Sequence, residues 1–127
     1  MRKVGIYLAG TIYNEDLDRL WKPKLRNLLS DDVYEFFDPD PKEGSKLYVV
    51  ARDKAEIQKC DILIAYIQYP TVGTSMEILY ASMLETKAII VINPNAKMIE
   101  NLWLVAHAHL ITTTIENCVD HVKSMKF

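Results

Sequence analysis

Apolar residues along this chain form short unbroken runs, separated by stretches in which they recur every three or four positions. "VGIYLAG" (Val4–Gly10) is such a run ended by glycine, the form of a strand buried on both faces. From Asn14 to Leu29, the side chains of Leu17, Leu20, Trp21, Leu25, Leu28 and Leu29 share one helical face. Pro23 lies inside that segment and predicts a kink or a late start. "VYEFFDPDP" reads as a strand running into a turn. Ser45–Lys59 has helical composition around Leu47, Val50, Ala51 and Ile57. "DILIAYI" (Asp61–Ile67) is the clearest central strand, followed by a loop over Tyr69–Gly73 and a helix from about Thr74 to Glu85. "AIIVIN" (Ala88–Asn93) is another buried strand, closed by "NPN". A helix around Met98–His107, a short strand near Leu110–Thr112 and a helix from Ile115 complete the order.

About five strands alternating with helices predict an α/β fold: a parallel sheet with helices on both faces. No repeat, low-complexity tract or linker divides the chain, and 127 residues make a single domain, 1–127. Ligands of open α/β sheets sit beyond the C-terminal ends of the strands. Here those ends lead into Gly10–Tyr13, Asp38–Gly44, Gln68–Gly73 and Asn93–Lys97.

Composition narrows the partners. The net charge of -2 provides no basic surplus for a nucleic-acid polymer or an anionic membrane. The N-terminal apolar run is too short for a signal sequence, and no stretch approaches the ~20 apolar residues of a membrane span. Cys60 and Cys118 match no metal spacing, and a reduced, cytoplasmic setting is the simplest reading.

Within "YPTVGTSMEILYA" (Tyr69–Ala81), Glu77 is the only charge. "Thr74-Ser-Met-Glu77" fits a capping box, in which Thr74 and Glu77 satisfy exposed amides at a helix start. A carboxylate there also gains from the helix dipole. The helix is apolar nearly all round, through Met76, Ile78, Leu79, Ala81, Met83 and Leu84, so it is expected to be buried. It follows the central strand, and Gly73 allows close approach of a ligand. A carboxylate aimed into such a crevice can serve as nucleophile or general base, and a cap can do both. Asp61 opens a strand and belongs at the opposite end of the sheet, as a turn or cap residue. Asp53 reads on pattern as a solvated helix charge. His107 and His109 read as helix-end or packing residues.

Taken together, "IYLAG", "CDILIAYI", "GTSMEILYA" and "AIIVIN", with Asp53 eight residues ahead of the strand that Asp61 opens, resemble the nucleoside 2-deoxyribosyltransferase family. The resemblance runs through most of the chain. It implies a flavodoxin-like (Rossmann-like) fold and cleavage of the N-glycosidic bond of 2'-deoxynucleosides through a covalent glycosyl-glutamate. Glu77 would be the nucleophile, Tyr7 would position it, and Asp53 would face the departing base. Gly10 and Thr11 would line the pocket, with Thr71, Gly73 and Thr74 beside it. Asn101 would be lent to a neighbouring subunit, which implies a homo-oligomer, a dimer or larger. The partners implied are a nucleoside or nucleotide and a nucleobase, and no metal or organic cofactor is expected.

The sequence departs from the family at Thr71, six residues before Glu77, where transferases usually carry Asp. A hydroxyl there resembles the branch that hydrolyses deoxynucleoside 5'-monophosphates. That branch also tends to carry Arg and Gly-rich sequence after the first strand, whereas this chain has "TIYNED". The balance leans to the transferase. "PTVGTSME" resembles more distantly the "PGGxGTxxE" of phosphoribohydrolases, without its glycine pair. A nucleotide-binding domain that has lost turnover is the alternative from another class, and it gives no reason to keep Glu77, Asp53 and Tyr7 together.

Overall fold

Every predicted strand and helix has a counterpart in the computed structural model, which describes residues 2–10, 20–30, 32–39, 45–84 and 87–127. The order is β1 (Val4–Ala9), α1 (Trp21–Leu28), β2 (Tyr34–Phe37), α2 (Lys46–Lys59), β3 (Ile62–Tyr66), α3 (Val72–Ser82), β4 (Ala88–Ile92), α4 (Leu102–His107), β5 (Leu110–Thr112) and α5 (Ile115–Ser124). All strand pairs are parallel, in the order β2-β1-β3-β4-β5. That is a doubly wound order, with its topological switch between β1 and β3.

Alternation along the strands divides the core into two layers. Ile6, Leu8, Ile62, Ile64, Ile90 and Ile92 point to the face covered by α1 and α5, where Trp21, Leu25, Cys118, Val119 and Val122 are buried. Tyr7, Ala9, Leu63, Ala65, Ile89 and Val91 point to the other face, under Ile57, Ile78, Ala81 and Leu104 of α2, α3 and α4. Burial on both faces is why these strands read as unbroken apolar runs rather than alternating ones. Cys60 and Cys118 are free, buried thiols.

The first helix starts late, at Trp21, and Pro23 falls in its first turn, where a missing N–H breaks no helical hydrogen bond. Side-chain caps set the starts of α2, α4 and α5. The Ser45 hydroxyl accepts from Tyr48 N at 3.3 Å, Asn101 Oδ1 from Leu104 N at 3.0 Å, and Thr114 Oγ1 from Asn117 N at 3.0 Å. Asp61 sits at the N-terminal end of the sheet, as expected. Its carboxylate accepts both Arg2 guanidinium nitrogens, at 2.8 and 3.0 Å, and Gly5 N at 2.9 Å.

The predicted capping box is not formed. Helix α3 begins at Val72, with Thr71 as N-cap residue, and the Thr71 carbonyl accepts Ser75 N at 3.0 Å. Thr74 and Glu77 therefore both lie inside the helix, and the Glu77 carboxylate is free to bond elsewhere. The expected burial of α3 all round is also not observed. Thr74, Ile78 and Ala81 are buried, whereas Val72, Met76, Leu79 and Met83 are exposed. Among the described residues, no helix is long and apolar enough to cross a membrane.

Candidate active site

Tyr7 is fully buried near the end of β1, on the face that carries α2 and α3. Its hydroxyl donates a short hydrogen bond to Glu77 Oε2, across 70 positions of sequence. Burial first, and then the charge of Glu77, raise the tyrosine's pKa, so the phenol keeps its proton and remains the donor. Burial likewise pushes Glu77 up to about 7, against the opposing pull of the Tyr7 hydrogen bond; Asp53 adds to the rise and Lys22 subtracts from it. A carboxylate poised near neutrality, with one oxygen committed to Tyr7, leaves Oε1 for other chemistry.

The cavity in front of Glu77 has a volume of about 520 Å³, within the usual range for small-molecule sites. Gly10, Asp53, Gly73, Thr74 and Glu77 all line it, together with Pro39 and side chains of α2 and α3. It lies beside the β1–β3 switch, where the fold places ligands. Asp53 is not a solvated helix charge. It is largely covered, pairs with Arg52 at 3.4 Å, and its pKa is raised by burial. Glu56, one helical turn further along α2, is raised for the same reason. Its Oε2 is buried without a hydrogen-bond partner among the described residues.

The two glycines serve the cavity differently. Gly10 has φ +146°, and a Cβ there would lie 3.0 Å from the Tyr66 carbonyl oxygen and 3.1 Å from the Trp21 ring. Trp21 stacks on Tyr66 at 5.2 Å, so the backbone at Gly10 passes close against packed aromatics. A Cβ on Gly73 would meet nothing within 4 Å and would project into open space.

The loop that carries α3 is tied down by two asparagines. Asn93, fully buried after β4, donates to the Ile67 carbonyl at 2.6 Å and accepts Met98 N at 2.8 Å. Asn95 donates to the Gln68 carbonyl at 2.9 Å. The segments after β3 and β4 are thereby held as one unit.

Of the remaining predicted site residues, Thr71 is the N-cap residue of α3, and Thr11 lies outside the described residues. Asn101 caps α4 and borders a second cavity with Trp103 and His107, so one chain does not bring it to Glu77. His107 bonds and stacks on Trp103, and His109 Nδ1 accepts Ile89 N at 2.9 Å, both packing roles. Sequence reasoning missed Lys22, a largely covered ammonium 2.5 Å from Asp38 whose charge acts on Glu77. It also missed Lys54 and Tyr80, which line the cavity. Nothing in their spacing marks them.

The structure superposes on a 2-desoxiribosyltransferase from Leishmania mexicana with a TM-score of 0.78 at 19% identity, covering 97% of this chain and 99% of that one. It superposes on the CMP N-glycosidase of Clostridium botulinum with a TM-score of 0.69 at 24% identity, covering 95% and 99%. A protein of Burkholderia pseudomallei described as related to pilus assembly gives 0.60 at 17% identity, covering 94% and 87%. No family profile and no curated protein matches the sequence. The chain therefore has the α/β fold of the deoxyribosyltransferase, with likeness at the level of fold.

Proposed function

We propose that this protein is an enzyme that cleaves the N-glycosidic bond of 2'-deoxynucleosides and transfers the deoxyribosyl group to another base. The observation that carries the reading is the Tyr7–Glu77 pair in a cavity shared with Asp53, at the ligand-binding end of the sheet. Ionised Glu77 attacks C1' while the C1'–N bond breaks and its electron pair leaves with the base. A carboxylate apposed to C1' stabilises the oxocarbenium character of that step and then captures it as a glycosyl ester. Asp53, whose burial favours its protonated form, supplies a proton to the departing nitrogen. A ring nitrogen of a second base then attacks C1' and gives its proton to the Asp53 carboxylate, while the C1'–O bond breaks and its electron pair returns to the Glu77 carboxylate. Tyr7 holds the carboxylate and positions it throughout. Thr11, Thr71, Gly73 and Thr74 contact the substrate in this reading, and Asn101 serves a neighbouring subunit of a cytoplasmic homo-oligomer engaged in nucleotide salvage.

Hydrolysis of a nucleoside 5'-monophosphate is the second reading. The fold shared with a CMP N-glycosidase and the hydroxyl of Thr71 favour it. Against it, Lys54 is the only cation among the described residues that line the cavity. Deoxyadenosine incubated with and without cytosine, alongside dAMP and dCMP, separates the two by chromatography. Deoxycytidine formed only when cytosine is present supports the transferase. Free base released from the monophosphates regardless of acceptor supports the hydrolase. No product that depends on Glu77 would leave a binding domain.

A further inference from the structure

Asp53 has two tasks in the proposed reaction: it meets the departing base protonated, and it takes a proton back from the incoming one. Its nearest charged neighbour works against the first. The Arg52 guanidinium lies 3.4 Å from Asp53 Oδ1, and a cation at that distance favours the ionised carboxylate. Burial opposes this, but the Asp53 side chain is 19% exposed, so the opposition is incomplete.

Glu56 stands where a further opposing charge would act. It follows Asp53 by three positions on α2, a spacing that brings two Cβ atoms to about 5–6 Å on one flank of a helix. Its Oε2 is buried without a hydrogen-bond partner among the described residues, a costly state for a carboxylate with no role beyond packing. The charged and titratable groups that face Glu56 are Arg52, Asp53 and Lys59 on its own helix, Asp38 after β2, Tyr7 on β1 and the thiol of Cys60. Asp38 is already matched by Lys22 at 2.5 Å and Arg26 at 3.2 Å. Tyr7 keeps its proton, and burial pushes the Cys60 thiol up to about 12, so both are neutral. Lys59 is exposed, and water and salt screen its charge. Arg52 thus serves two partly covered carboxyl groups, and one cation between two such groups leaves one of them holding a proton.

We propose that Glu56 is a positioning residue for Asp53: from one turn along α2 its carboxyl divides the charge of Arg52 and so leaves Asp53 a proton to give in the neutral range. The inference rests on the proposed reaction, in which Asp53 is the acid. Its test is kcat/KM for 2'-deoxyadenosine against pH, with cytosine as acceptor, in the parent, Glu56→Gln and Glu56→Asp. The carboxyl groups are titrated by carbon-13 NMR in the same proteins, with Asp53→Asn to assign that signal. Glutamine keeps the shape of Glu56 and loses its charge, so Asp53 should release its proton about one pH unit earlier. On the alkaline arm kcat/KM should then fall about ten-fold, while the acid arm, where Asp53 is protonated in both proteins, stays in place. Glu56→Asp, which retains the charge, should recover most of the loss. An Asp53 titration unmoved in Glu56→Gln overturns the proposal, and so does a shifted titration with an unchanged alkaline arm. If the parent releases no base in a Glu77-dependent way, the proposed reaction fails and this role with it.

Discussion

Replacing Glu77 by Gln removes a carboxylate that burial has pushed up to about 7 from an ordinary value of 4.5. Between those values the folded chain holds a proton that the unfolded chain has released. Stability therefore falls as pH rises through that window and is level on either side of it. Over that span the ionised carboxylate subtracts about 3 kcal/mol from stability above pH 7. Glutamine cannot ionise, yet its carbonyl oxygen still accepts the Tyr7 hydroxyl, and only the charge-assisted part of that bond is lost. The net gain at pH 8 is then about 1–3 kcal/mol, or roughly 4–10 °C in Tm for a domain of this size. Thermal melts of parent and Glu77→Gln at pH 4 and pH 8 check it. The variant should melt higher at pH 8 and close to the parent at pH 4. Equal melting at pH 8, or a difference that does not change with pH, would refute the claim that folding strains this carboxylate. A variant both more stable and inactive is the usual signature of a residue kept for chemistry.

Tyr7→Phe removes the hydrogen bond that holds Glu77 down, so the acid limb of the pH–rate profile should move upward, with activity at pH 7 falling about 10–100-fold; a limb that stays in place would separate Tyr7 from Glu77. Gly73→Ala should leave the Tm unchanged or raise it, by about 0.5–1 kcal/mol of helix preference, while KM rises because the new methyl enters the cavity. Melting and saturation kinetics on one preparation read both effects. Asn93→Ala should destabilise by roughly 2–4 kcal/mol in urea unfolding, since the Ile67 carbonyl and Met98 amide lose their partner.

The sheet was legible because burial on both faces writes strands as unbroken apolar runs, and "ILIAY" and "AIIVI" admit few other readings. The start of α3 was not. Thr71 and Thr74 are both plausible caps, and the Glu three residues after Thr74 favours the wrong one. Local pattern carries no information about Tyr7, 70 residues away, whose hydroxyl takes the carboxylate instead. The resemblance to the deoxyribosyltransferases supplied that pairing, and it placed Asp53 in the cavity where composition had left it in solvent. Helix α3 misled for a further reason. Apolarity all round reads as burial, but Met76, Leu79 and Met83 stay exposed, and that face borders the cavity instead. Lys22 was illegible because a lysine in an amphipathic stretch looks solvated until Asp38 is brought beside it.

Covalent capture of the sugar by Glu77 is the central claim, and mass spectrometry tests it most directly. Protein incubated with a 2'-fluoro-arabinosyl nucleoside, whose electron-poor sugar slows release from the carboxylate, should gain the mass of the glycosyl group. Peptide mapping should place it on Glu77, and Glu77→Gln should gain nothing. Base release without an adduct, or an adduct on another residue, would contradict the account.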